Sequence, residues 1–336
     1  MACVVASRDL RTPVVFVFET LAVAACYYAA GRLGLLRDLT VGGAVVSPIW
    51  PPTGVAVACL LIFGLRCWAG IALGALAILT HLTSPGASAL GVLAGNTAAP
   101  VVGFLLLRKV GFRTDLTRLR DCLALVFLCA ISAMLISSSI GVGLLVATGD
   151  LPGEDFWRVW LAWWAGDAMG VLLITPLLLG LRQVRAPLRW SRWKETVGLT
   201  AIAGCLVPLV THTPASVLFS VFPLLIWAAL RFQLAGSMVC ALFASVMATV
   251  AATDHAGPFV HLSDVQIIIN LQAFNGAVSL TALLLSAVIA EQRNTRRSVE
   301  RACQELVEVL EHLTAGESGA GRPQWDEDGH RRNADG

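Results

Sequence analysis

Asp167 stands about eleven residues into an apolar stretch at 156–181, within Trp163-Trp164-Ala165-Gly166-Asp167-Ala168-Met169-Gly170. At 1.5 Å per residue that places the carboxylate ~16 Å deep, near the middle of a bilayer. Ionisable groups at that depth are costly and default to functional candidates. Asn96, about ten residues into another apolar stretch entered from the same side, reaches a similar depth. Gly95, Gly166 and Gly170 would let those helices approach closely. Three chemistries stay open: a polar ligand or ion site, proton transfer, or an Asp–Asn hydrogen bond that only pins two helices.

A second candidate is the segment Ser47-Pro48-Ile49-Trp50-Pro51-Pro52-Thr53-Gly54. Trp50, Pro51, Pro52 and Gly54 make a poor lipid-facing helix start but a good wall for an interior cavity, because irregular backbone at membrane depth must be satisfied by protein or cavity. Gln272 and Asn270 enter the last apolar stretch from the same side, and Glu19 sits in the first. Arg66 and Arg231 lie at inner boundaries, as site residues or as side chains snorkelling to lipid phosphates. His255 and His261 have acidic neighbours but no helical metal-ligand spacing, and the nine cysteines include no CxxC pair. Neither a metal, a cofactor nor a nucleic-acid partner is expected.

The elements that must hold these residues are membrane helices. Hydrophobic residues make up 57% of the 336-residue chain and charged residues only 14%, with mean hydropathy +0.75; a soluble domain carries about 25% charged residues. Apolar stretches fall at 12–31, 47–65, 67–84, 87–107, 122–147, 156–181, 196–212, 216–231, 234–253 and 265–290. The expected fold is therefore an all-α polytopic bundle of about ten spans, or eight if 47–84 is re-entrant. With the N-terminus inside, eighteen basic residues fall on the cytoplasmic side and three (Arg32, Arg37, Arg158) on the other, as short cytoplasmic loops require. Both termini are then cytoplasmic. Pro51 to Arg66 with the span after it also echoes Pro223 to Arg231 with Leu234 to Val250, which would suit a parallel internal repeat.

Beyond Ala290 the pattern changes. Val299, Cys303, Leu306, Leu310 and Leu313 alternate spacings of four and three, a short heptad seam or a solvated amphipathic end. The expected organisation is a cytoplasmic N-terminus (1–11), a transmembrane sensor bundle (12–290), a cytoplasmic signalling helix (291–313) and a disordered tail (314–336). No nucleotide loop or phosphoacceptor histidine follows residue 314, and no enzymatic activity is expected.

The ordered set Trp50-Pro51-Pro52-Thr53-Gly54, Gly64-Leu65-Arg66 with Trp68, Gly95-Asn96, Trp163 to Asp167 with Gly170 and Pro176, Leu230-Arg231-Phe232, Gly257-Pro258-Phe259 and Glu291-Gln292-Arg293 resembles the type-one membrane-associated sensor (MASE) domain of bacterial signalling proteins. The likeness runs over about residues 15–293. It implies a multi-pass sensory module of the bacterial plasma membrane, normally fused to a histidine kinase, diguanylate cyclase or similar output domain, and supplies no ligand. No output domain is expected after residue 314, which would be a departure from the family's usual arrangement. The expected function is a sensor passing its state through the last span into 291–313. That helix would pair as a homodimer or heterodimer, or meet a separate kinase, cyclase or full-length relative. The alternative is a transporter or substrate-capture subunit with a midplane polar site. The ligand-binding or signalling candidates are Trp50, Pro51, Pro52, Gly54, Asn96, Trp163, Trp164, Gly166, Asp167, Gly170, Arg231 and Gln272.

Overall fold

Pro51 and Pro52 open helix α2 (Pro51–Phe63), where their missing N–H groups cost no hydrogen bond. Thirteen residues rise only ~20 Å against a ~30 Å hydrocarbon core. The helix ends at Gly64, whose backbone (φ 87°, ψ −175°) only glycine adopts without strain. One 3₁₀ turn, Leu65–Cys67, then starts α3 (Trp68–Leu82). These elements come from a computed structural model that describes residues 2–41, 43–82, 86–183, 193–213 and 217–320.

The remaining elements are α1 (Ala2–Gly34), strands β1 (Leu39–Val41) and β2 (Ala44–Val46), α4 (Ala87–Lys109), α5 (Leu119–Ala124), a π-helical segment Leu125–Ala133, α6 (Met134–Thr148), α7 (Phe156–Gln183), α8 (Trp193–His212), α9 (Val221–Thr253) and α10 (Asp264–Ala320). The strands pair antiparallel, Val41 opposite Ala44. The bundle is all-helical apart from this hairpin, which the hydropathy pattern does not announce.

Packing gives the direction of each pass. Gly70 lies against Thr20 and Val23, Gly74 against Tyr27, and Gly31 against Ile78, so α3 runs parallel to α1. Between them α2 runs the other way, from Gly34 beside Pro51 to the Arg66–Glu19 ion pair (3.2 Å). Helix α9 does the same in one piece. Its first part descends from Leu218 to Arg231, which pairs with Glu195 at the start of α8 (2.6 Å). The chain breaks helical geometry at Gln233 (φ 57°, ψ −149°) and returns to Asp254, which pairs with Arg37. Among the described residues eight helices are long and apolar enough to cross a membrane. One of them, α9, is folded back on itself, and α2 adds a short pass, which gives ten antiparallel passes. These eight are not the eight expected from a re-entrant 47–84: Leu65–Leu82 is one of them, and the stretches 216–231 and 234–253 are joined in α9.

Helix α7 is the axis. Of its apolar window 78% is buried, against 22–50% for the other long helices. Glycines set its closest contact: a methyl group on Gly54, Gly166 or Gly170 would collide with the backbone oxygens of Gly170, Ser47 and Trp50 respectively. Thr175 donates to the Gly54 carbonyl (3.0 Å). The π segment has its own partner, since the Trp164 indole donates to the Ile131 carbonyl (2.9 Å), the kind of extra bond a π segment leaves available.

Contacts divide the chain into two compact units, Met1–Ala290 and Glu291–Gly336. In the second, Val299, Cys303, Leu306 and Val307 are exposed, and Arg296 bonds Glu300 (2.9 Å). Helix α10 extends to Ala320, so residues 314–320 are helical where a disordered tail is expected; 321–336 lie outside the described residues.

Candidate functional site

At the bundle end that carries the β-hairpin, the first unit encloses a cavity of about 310 Å³. Its walls are apolar: Leu35, Val45 and Val46 near the hairpin, Ile78, Leu79 and Leu82 of α3, Val92 of α4, Leu145 of α6 and Leu151. Asp150 stands at the mouth. Bonds from the Thr148 hydroxyl (2.7 Å) and from Ser88 hold its carboxyl below the usual carboxylate range, so it stays ionised. Tyr27, Trp50, Asn96 and Trp163 form the polar and aromatic part of the lining.

Beneath that lining lies a buried polar cluster. Asp167 is 1% exposed; its Oδ1 accepts the Thr53 hydroxyl at 2.5 Å and its Oδ2 has no partner. Ser137 and Trp163 lie beside the same carboxylate. The Ser137 hydroxyl donates to Asn96 Oδ1 (2.9 Å). Asp167 and Asn96 therefore share a site, joined through Ser137 instead of by a direct bond. The Tyr27 hydroxyl, next to Trp50 and within electrostatic range of Asp167, makes no hydrogen bond of good geometry. Buried polar atoms without partners are uncommon and call for an explanation.

One short strap ties this site to the rest of the bundle. Ser47 and Trp50 line the cavity. The Trp50 N–H donates to the Gly166 carbonyl, one residue before Asp167 (3.0 Å). From the other side the Gln272 amide of α10 donates to the Pro48 carbonyl (2.9 Å), leaving its own oxygen unbonded.

The sequence candidates separate accordingly. Trp50, Asn96 and Trp163 line the cavity, Asp167 sits under it, and Gln272 braces the strap. Gly54, Gly166 and Gly170 are spacers that bring α2 and the strap onto α7, while Pro51 and Pro52 pack against Gly34 and Gly31. Two candidates lie apart from this cavity. Trp164 turns away to the π segment and stacks on Trp160. Arg231 lies at the opposite end, paired with Glu195, and Arg66 likewise with Glu19, so neither is a free snorkelling side chain. Tyr27, Thr53 and Ser137 belong to the site without having been singled out. Tyr27 is one of only two tyrosines in the chain, and Thr53 lies inside the Trp-Pro-Pro motif; those were the available signals.

A polar cluster roofed by a cavity thus lies inside a multi-pass helical membrane bundle. The MASE1 profile, that of a membrane-associated sensor domain, matches residues 20–293, and the chain belongs to the MASE1 family. It is similar to the probable diguanylate cyclase DgcE of Escherichia coli (strain K12), with 31% identity over 145 residues, covering 42% of this chain. The matched part is 13% of that relative's length. No solved structure matches the chain.

Proposed function

We propose that this chain is a non-enzymatic sensory input module of the bacterial plasma membrane, with both termini in the cytoplasm. A small molecule occupies the cavity from the hairpin end, and its presence is relayed through the 47–50 strap to α10 and so to the helix beyond residue 290. The observation that supports this most is the strap itself: within four residues, Ser47 and Trp50 line the cavity, the Trp50 N–H bonds the backbone beside Asp167, and the Pro48 carbonyl accepts the Gln272 amide of α10. An occupant that presses on Trp50 changes both contacts together. The relay works only by differential affinity for two arrangements of α7 and α10.

The exposed Val299, Cys303 and Leu306 face is the readout surface, pairing with a second copy, a full-length relative, or a separate kinase or cyclase. The cyclase named in the E. coli relative makes a cyclase the first partner to try. Disulfide crosslinking through Cys303 in intact membranes tests the relay. Asp167→Asn and Gln272→Ala should each change crosslink yield about twofold or more, with Cys303→Ala as the blank. Unchanged yield and unchanged downstream response in both variants would overturn the reading.

A transport reading is favoured by one feature. The two short passes end in equivalent joints, each with an Arg paired to a Glu of the preceding helix, as in repeat-built carriers. Counterflow in proteoliposomes separates the two. Solute exchange supports transport, and saturable binding without exchange supports sensing.

A further inference from the structure

Charge and shape narrow what the cavity holds. Among the described residues its lining contains no Arg, Lys or His. Arg37 and Arg158, at the same end, are engaged by Asp254 and Asp155. A phosphate or carboxylate ligand would meet no counter-charge in that lining, since Arg32 is exposed and His81 is bonded to Tyr28, both outside it, and would face Asp150 at the mouth and Asp167 beneath the lining. A cation meets the reverse. Tyr27, Trp50 and Trp163 line the same space, and a cation within about 6 Å of an aromatic face is attracted by the ring quadrupole. Two buried polar atoms, the Tyr27 hydroxyl and Asp167 Oδ2, make no hydrogen bond of good geometry, with Trp50 beside the first and Ser137 and Trp163 beside the carboxylate. The rest of the wall is hydrocarbon and suits an apolar body, and about 310 Å³ lies at the small end of ligand sites.

We propose that the cavity binds a compact organic cation, an amine or quaternary ammonium with an apolar body. Its head sits against Tyr27, Trp50 and Trp163, in the field of Asp150 and Asp167. This rests on the reading of the cavity as the sensory site and adds the ligand class.

Three probes of nearly the same shape test it on the full chain in lipid nanodiscs: phenyltrimethylammonium, the neutral 2-phenyl-2-propanol and the anion 2-methyl-2-phenylpropanoate. Tryptophan fluorescence should report saturable binding of the cation, about tenfold or more tighter than the alcohol, and none of the anion. Asp150→Asn, at an exposed loop position, should weaken the cation about threefold or more and leave the alcohol unchanged. If the alcohol or the anion binds as tightly as the cation, the cation class is overturned while an occupied sensory cavity stands. If no probe saturates, the cation assignment fails as well. The relay itself is judged separately by Cys303 crosslinking, so a failed relay with intact cation selectivity leaves this proposal standing.

Discussion

At the scale of single residues, the described interior keeps unbonded polar atoms in distinct places. One set, Tyr27, Asp167 Oδ2 and Gln272 Oε1, surrounds the strap and cavity. Asn275 on α10 is a different case: it is fully buried, and neither its amide oxygen nor its nitrogen is hydrogen-bonded. An unsatisfied buried group costs about 1–3 kcal/mol, whereas an apolar residue of similar shape removes that penalty. Asn275→Leu should therefore raise the thermal midpoint of the detergent-solubilised chain by a few degrees. A fall would show that the amide has a partner after all. The polar groups were also the legible part of the site. Asp167, Asn96 and Gln272 were readable because a polar group at membrane depth has few bland explanations. Ser137 was not, because Ser and Thr hydroxyls inside helices usually bond their own backbone, and Tyr27 was not, because a tyrosine in an apolar stretch reads first as an amphipathic packing residue. Trp164 was misplaced because sequence spacing does not say which way a helix turns, and here the π segment captures its indole.

The elements show how two joints of different chemistry reach one backbone shape. Gly64 and Gln233 both take positive φ at the turn from a short pass into a long one. Glycine does so freely, whereas a side chain there carries strain of about 1–3 kcal/mol. Gln233→Gly should stabilise the bundle by about 1 kcal/mol, and Gly64→Ala should destabilise it by a similar amount or more. Nothing lies within 4 Å of a methyl group at Gly64, so any loss there reports backbone conformation alone. Unfolding followed by loss of tryptophan fluorescence provides the check, and a neutral result at both positions would refute the strained-joint account. The short-pass-and-joint echo was visible in the sequence because Pro, Arg and apolar spacing recur. That Gln233 would hold a glycine-like conformation was not, since nothing local favours it and only the surrounding packing imposes it.

Across the whole molecule, the ten passes bring both joints, the Glu19 and Glu195 partners and the exit of α10 to one end. The hairpin, Asp150 and Asp254 lie at the other. Cysteine labelling of intact cells, in a background lacking the native thiols, reads this directly. Cysteines at Leu65 and Glu291 should react only after permeabilisation, and cysteines at Asp150 and Asp254 without it. Labelling of the Leu65 position from outside would refute the ten-pass path. Hydropathy carried the class, because it follows from the energetics of the bilayer, and arginine bias supplies the sidedness that this labelling tests. They were silent on the β-hairpin, whose short strands occupy a connection between spans.

The brevity of α2 has a consequence for how such proteins diversify. Because this helix begins at Pro51, one residue after the strap, the depth of the vessel above it is fixed by where a chain of thirteen residues starts. An extra helical turn inserted before Pro51 would advance the floor by about 5 Å and erase the chamber with no change to its walls. Trimming or extending the hairpin would instead remodel its rim. Insertions and deletions, more than substitutions, are therefore the economical route by which a common frame could come to hold guests of different size.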